Sequence, residues 1–281
     1  MMGGDPDLLG LAGKNYLVIG GGQGMGESTS LLLARAGANV AVVDVETTRA
    51  EAVATSVRSI GTKSFVVTAD VLDDNELLNG IHEANQDLGG LDGVVTIVGA
   101  ASWTPLLDMD PAVWDLDHRR NLRYFFLAAR ETACLLIKQG KSGSIVGITS
   151  VDGIQSAPYH GAYGAAKAGL VNLVRSMAAE WSQYGVRVNA IAPGAIVTPR
   201  IPLGTNEAEA AQMGHIPMQK RGTTDDIGKG VLFMLSGLSN YVTGQTLAVD
   251  GGYTAVGPMD YSGVLSKVSG GGTLGVNEAA S

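Results

Sequence analysis

Tyr163 and Lys167 stand four residues apart in Tyr163-Gly164-Ala165-Ala166-Lys167, at the start of an Ala-, Gly- and Leu-rich run with helical spacing. Side chains so spaced leave a helix on one face. A free phenol ionises near ~10, and an ammonium within a few ångströms favours the phenolate. The pair therefore suits proton transfer near neutral pH, with Tyr163 as general acid or base. Alone it would carry little weight, because short motif matches are common. Its significance comes from the residues around it.

Gly20-Gly21-Gly22-Gln23-Gly24-Met25-Gly26 follows one apolar run and opens a helical one. Glycines in such a turn let backbone approach a pyrophosphate, and the helix N-terminal amides face its charge. Gly20, Gly22, Gln23, Gly24, Met25 and Gly26 are therefore candidate cofactor contacts. Asp44 closes the second apolar run, where an acidic side chain accepts hydrogen bonds from the adenosine ribose hydroxyls. A carboxylate there repels a 2′-phosphate, and Asp44-Val45-Glu46-Thr47 offers no cation beside it. Gln23 leaves the glycine turn without one too. The expected cofactor is NAD rather than NADP.

These residues need strands and helices to place them. Continuous apolar runs at Tyr16–Ile19, Val40–Asp44, Ser64–Thr68, Gly93–Val98, Ser144–Ile148, Arg187–Ile191 and Thr246–Val249 read as strands covered on both faces. Helical spacing appears at Met25–Arg35, Thr48–Ser59, Asn75–Asp87, Arg119–Lys138, Ala162–Gln183 and Asp225–Leu235. That alternation implies one doubly wound α/β domain, with about seven parallel strands and helices on both faces. Ligands bind such sheets beyond the carboxyl ends of the strands, where every motif above falls. The domain is expected over residues 1–253, with a small insertion at Pro199–Pro217. Residues 254–281 read as a Gly/Ser-rich extension.

Composition narrows the class. The 281-residue chain carries a formal charge of −8, which opposes a nucleic-acid surface. No apolar run is long enough for a membrane span, and no signal peptide is evident, so a soluble cytoplasmic protein is expected. Cys134, the sole cysteine, is expected in the core of an apolar helix. His82, His118, His160 and His215 lack ligand spacing, so no metal is expected. His160 reads as a solvated loop residue.

In sum of these motifs the chain resembles the short-chain dehydrogenase/reductase family from Leu11 to Tyr253. The glycine motif reads Ile19-Gly20 through Gly24-Met25-Gly26, and the Asp-Val pair after the third strand is Asp70-Val71. The helix Asn is Asn121, and Ser150 lies thirteen residues before Tyr163. Pro193-Gly194 followed by Thr198, and Asp250-Gly251-Gly252, complete the pattern. The resemblance implies a Rossmann-type fold with Asn121, Ser150, Tyr163 and Lys167 as catalytic residues. It also implies cofactor contacts from Asp70, Val71, Val98, Gly99, Tyr163, Lys167, Pro193, Gly194, Ile196 and Thr198. Two departures stand out. Ile19 replaces a Thr that steadies the glycine turn, and Asn-Asn-Ala-Gly is reduced to Thr96-Ile97-Val98-Gly99.

By this resemblance Ser150 holds the substrate oxygen, Tyr163 carries its proton and Lys167 lowers the tyrosine pKa while gripping the nicotinamide ribose. Asn121 is expected to hold a water on a proton path to solvent. Three stretches, Ala100–Leu107, Val151–His160 and Pro199–Pro217, should wall the substrate pocket. Trp103, Ile154 and Tyr159 are its expected contacts, with Ser150 and Tyr163. The wall is apolar and has no Arg cluster, which fits a hydrophobic secondary alcohol or ketone, alicyclic or steroid-like. A 3-oxoacyl-thioester reductase is the alternative, and a non-catalytic nucleotide-binding sensor a remote one. Apolar residues around more than one face of Arg119–Lys138 and Ala162–Gln183 lead us to expect a homotetramer. Pro258–Leu265 is expected to dock on the protein.

Overall fold

The computed structural model describes residues 7–204 and 213–256. In chain order the elements are β1 (Asn15–Ile19), α1 (Gly24–Arg35), β2 (Asn39–Asp44), α2 (Thr47–Ile60), β3 (Ser64–Thr68), α3 (Asp74–Asp87) and β4 (Gly93–Thr96). Then come α4 (Pro111–His118), α5 (Tyr124–Lys138), β5 (Gly143–Ile148), α6 (Gly161–Trp181), β6 (Val186–Pro193), α7 (Thr224–Leu235) and β7 (Thr246–Val249). The seven strands form one sheet in the order β3-β2-β1-β4-β5-β6-β7, with every pairing parallel. Val18 of β1 lies opposite Val42 on one side and Val95 on the other. The winding reverses between β1 and β4, so the open crevice lies beyond their carboxyl ends.

The strands are apolar throughout because both faces are covered. Leu17 and Ile19 pack with Leu77, Phe125, Leu136 and Leu170, from α3, α5 and α6. Tyr16 and Val18 point the other way, towards Leu33, Val53, Ile227 and Val231 of α1, α2 and α7. A strand with only one buried face would alternate apolar and polar residues instead. This is a Rossmann-type, doubly wound fold.

Three expectations need correction. The helix expected over Arg119–Lys138 starts earlier, at Pro111, where the Asp110 carboxylate accepts from the Ala112 amide at 2.7 Å. Asp before Pro is a strong start signal, since proline at the first helical position lacks only an N–H that is unpaired anyway. That helix is also not continuous. A π-helical turn, Arg119–Arg123, separates α4 from α5. Cys134 is exposed rather than buried, on the outer side of α5. Smaller shifts end β4 at Thr96 and α6 at Trp181, where a 3₁₀ turn takes over.

The insertion begins with Thr198 and Ile201 exchanging backbone hydrogen bonds at 3.1 and 3.0 Å. Thr198, Pro199 and Pro202 face Gly24 across a cleft of about 520 Å³. Residues 205–212 and the expected docking of Pro258–Leu265 lie outside the described residues. No helix among the described residues is long and apolar enough to cross a membrane.

Candidate active site

The glycine turn is held by backbone. Gly20 and Gly21 both donate to the Val43 carbonyl, at 2.8 and 2.9 Å, while Ile19 is wholly buried in the core. These two main-chain bonds fix the turn where the family's Thr is absent. A methyl group at Gly26 would lie 2.0 Å from the Gly20 carbonyl oxygen, so only glycine lets α1 close against the strand. Gln23 precedes α1 in extended backbone, without a side-chain cap. Met25 packs against the core beside it.

Asp44 lies at the end of β2, 7% exposed. It accepts from the Gly22 amide at 3.1 Å and the Glu46 amide at 3.0 Å. The expectation that no cation stands beside it is wrong. Arg49, in the first turn of α2, donates to Asp44 Oδ1 at 2.8 Å. The turn from β2 into α2 brings residue 49 back over residue 44, beyond the three neighbours that the sequence reading weighed.

The other sequence-derived cofactor candidates line the same end of the sheet. The Asp70 carboxylate accepts from the Leu72 amide at 2.9 Å, and Val71 packs against the core. Pro193 ends β6, and the Gly194 amide donates to Val249 at 3.1 Å. Ile196 is buried and bridges to Gly222. At the altered Thr96-Ile97-Val98-Gly99 stretch, the buried Tyr124 hydroxyl donates to the Val98 carbonyl at 2.6 Å. A tyrosine from α5 therefore supports the chain where the family's Asn is missing.

Asn121, Ser150, Tyr163 and Lys167 converge beyond β4 and β5. Lys167 is almost wholly buried, and its ammonium donates to the Ile148 carbonyl at 2.8 Å. Its Nζ is 5.6 Å from the centre of the Tyr163 ring. A methyl group at Gly99 would stand 3.0 Å from Asn121 Oδ1 and 3.2 Å from Lys167 Nζ, which fixes how closely these groups gather. Asn121 lies in the π-helical turn, a feature often found at functional sites. Its amide donates to the Ala100 and Asp117 carbonyls, both at 2.8 Å, and its oxygen accepts from the Ala100 amide at 3.2 Å. Asn121 thus ties the first substrate loop to α4. Ser150 stands beside Tyr163 and draws its pKa down, and its hydroxyl accepts from the Asp152 amide at 3.1 Å.

Electrostatics depart from the expected picture. Burial pushes the Tyr163 hydroxyl up to about 12. The Ser150 hydrogen bond works in the opposite direction, while Asp152 and Asp117 add to the rise. Burial is the largest influence, so the net shift of the tyrosine is upward, against the lowering expected from Lys167. Lys167 itself is held down at about 7, by burial.

That shift has a signature in stability. A folded-state pKa below the ordinary 10.5 means that, as pH falls from 10.5 towards about 7, the unfolded chain gains a proton and the folded one does not. Stability is lost across that window and levels off below it. Lys167→Met removes the titration. Its melting temperature relative to wild type should therefore be higher at pH 7 than at pH 10, and an equal difference at both pH values would refute the assignment.

Among the expected substrate contacts, Trp103, Ile154 and Tyr159 are all exposed, at the mouth of the site. The wall is less apolar than expected. Arg120 pairs with buried Asp117 and donates to Ser102 Oγ at 2.9 Å. His160 is no solvated loop residue. Its side chain is 17% exposed and its Nδ1 lies 3.0 Å from Asp152 Oδ2. Its ring meets Trp103 edge-on, with centroids 3.6 Å apart.

Comparisons with known proteins agree with this geometry. Residues 20–254 match the family model described as enoyl-(acyl carrier protein) reductase. The chain is 36% identical to 2-(S)-hydroxypropyl-CoM dehydrogenase 3 of Xanthobacter autotrophicus, over 85% of this chain and 96% of that protein. A candidate short-chain alcohol dehydrogenase from Sinorhizobium meliloti superposes with a TM-score of 0.84 at 32% identity, covering 88% of this chain and 99% of that one. A candidate 2-deoxy-D-gluconate 3-dehydrogenase from Agrobacterium tumefaciens, solved with bound NADP, gives 0.82 at 29% identity, covering 89% and 100%. Extent of match, strand order and identity leave one conclusion: the chain belongs to the short-chain dehydrogenase/reductase family of oxidoreductases.

Proposed function

We propose that this protein is an NAD-dependent dehydrogenase or ketoreductase that interconverts a secondary alcohol and a ketone, on a medium-sized alicyclic or steroid-like skeleton. The observation that carries this reading is the convergence of Ser150, Tyr163, Lys167 and Asn121 beyond the carboxyl ends of β4 and β5. The residues present fit a dinucleotide. Gly20 to Gly26 form a turn too tight for side chains, since one at Gly22 would run into Asp44 and one at Gly26 into the Gly20 carbonyl, and the Gly22 amide is bonded to Asp44 at its rim. When bound, the nicotinamide ring accepts or donates the hydride.

The protein's share is positioning and proton transfer. Ser150 donates a hydrogen bond to the substrate oxygen and keeps it beside the Tyr163 hydroxyl. In reduction Tyr163 gives its proton to the carbonyl oxygen; its raised pKa keeps it protonated and ready to do so. In oxidation the same oxygen takes the carbinol proton. Lys167 sits behind the tyrosine, with a depressed pKa that lets it exchange a proton near neutrality. Asn121 holds Ala100, and with it the first substrate loop, in place.

NADH formation with a panel of secondary alcohols tests the reading. Turnover with NAD and at least one alicyclic alcohol is expected. No turnover in either direction, with cofactor bound, would favour a nucleotide-binding sensor instead.

We also propose a homotetramer. Trp114, Phe126 and Ile137 are large apolar residues left exposed on α4 and α5, and Ala165 and Ala168 give α6 a smooth exposed face. A second apolar face is costly in water unless another copy covers it. Sedimentation at micromolar concentration should show four subunits; a monomer would contradict the proposal.

A further inference from the structure

We propose that His160 is a specificity-determining residue: its Nε2, held in place through Asp152, accepts a hydrogen bond from a second, neutral hydroxyl of the substrate, next to the carbinol that reacts. This rests on the reading proposed above and narrows its substrate class from alcohols in general to diols and other hydroxylated alcohols.

The hydrogen bond on the other side of the ring fixes its tautomer. Asp152 Oδ2 lies 3.0 Å from His160 Nδ1, and a carboxylate only accepts, so Nδ1 carries the proton. In the neutral ring Nε2 then bears a lone pair and is an acceptor. That atom is enclosed and has no hydrogen-bond partner in the protein. A buried polar atom without a partner costs stability, so its persistence at a cleft calls for an explanation.

Its location supplies one. The His160 and Tyr163 ring centroids are 6.0 Å apart, so the imidazole lies within one small molecule's reach of the tyrosine. Trp103 meets the imidazole edge-on and is itself 75% exposed. Under this proposal the ligand displaces the exposed indole to reach Nε2.

The backbone holds His160 in an uncommon place. Tyr159, just before it, has φ of 65°, a left-handed conformation that is costly for a bulky aromatic residue. The Tyr159 carbonyl in turn accepts from the Thr104 amide at 2.9 Å, which joins the two substrate loops. Strain at one residue and a bond across two loops both serve to aim the next side chain.

Charge selects a neutral group. Asp152 and buried Asp117 both act on the Tyr163 hydroxyl as negative charges. Arg120 is engaged by Asp117 and Ser102. A substrate carboxylate or phosphate would meet that negative field, whereas a hydroxyl donates its proton to Nε2 without carrying charge.

The probes are cyclohexanol and trans-cyclohexane-1,2-diol, oxidised with NAD by wild type, His160→Phe, His160→Leu and His160→Gln. Sites that hydrogen-bond a substrate hydroxyl reject analogues without it, so wild type should favour the diol by about tenfold or more in kcat/KM. The two apolar variants should lose that preference, the diol losing about tenfold more kcat/KM than cyclohexanol does. Gln retains an acceptor oxygen and should restore part of the preference. NADH fluorescence on binding reports that each variant is folded, and two apolar replacements of different shape guard against a defect in one. Equal losses for both alcohols would mark His160 as a structural residue and overturn the proposal, as would a wild type indifferent to the second hydroxyl. Turnover of neither alcohol, nor of the matching ketones, would overturn the alcohol–ketone reading itself and this proposal with it.

Discussion

Tyr163→Phe is expected to lower kcat by about 10²–10⁴-fold, the range typical of a lost general acid or base. Cofactor affinity should stay nearly unchanged. The substitution removes one oxygen atom and leaves the ring, whose neighbours His160 and Lys167 keep their packing. The lost oxygen is the atom whose pKa Ser150 draws down and the fields of Asp152 and Asp117 push up. With its pKa pushed up to about 12, the hydroxyl is protonated throughout the physiological range. Reduction therefore finds its proton already in place, whereas oxidation must first create an acceptor. The variant's loss should accordingly appear in both directions, with wild-type oxidation rising as pH increases above neutrality. Retention of more than about a tenth of the wild-type kcat would show that another group carries the proton.

How much of this was legible in the sequence depends on the distance over which each feature is determined. The sheet was legible because burial on both faces makes runs such as Val40–Val43 apolar without a break, with helices alternating between them. Tyr163 and Lys167 were legible because helical periodicity alone puts them on one face. Cys134 was misread because α5 is apolar around most of its circumference, so composition does not say which side meets the sheet. The Asp152–His160 pair was invisible for a different reason. It depends on a loop that turns through a left-handed tyrosine, and no periodicity encodes that. The Tyr163 pKa was misjudged because desolvation belongs to the packed site, whereas sequence spacing shows only the neighbouring charge. The bond from Tyr124 to the Val98 carbonyl was out of reach as well, because only the fold brings together residues twenty-six positions apart.

Asp44→Ala should move cofactor preference from NAD towards NADP, by about 10²-fold in the ratio of kcat/KM values. Two effects add. Removing the carboxylate removes a like charge that faces an incoming 2′-phosphate, and such juxtapositions cost several kcal/mol, with each 1.4 kcal/mol worth about tenfold. It also releases Arg49, whose guanidinium is bonded to Asp44 at 2.8 Å and whose stem lies against the glycine turn at Gly22. A freed guanidinium is well shaped to pair with phosphate oxygens. The same ion pair tempers the wild-type preference, because Arg49 cancels part of the charge that excludes the phosphate. This makes the double variant informative. Asp44→Ala with Arg49→Ala should keep the relief from repulsion but lose the new attraction, so its NADP kcat/KM should fall well below that of Asp44→Ala alone. If the two variants use NADP equally well, Arg49 is a bystander. If the wild type already prefers NADP, Arg49 rather than Asp44 governs the site and the NAD assignment fails.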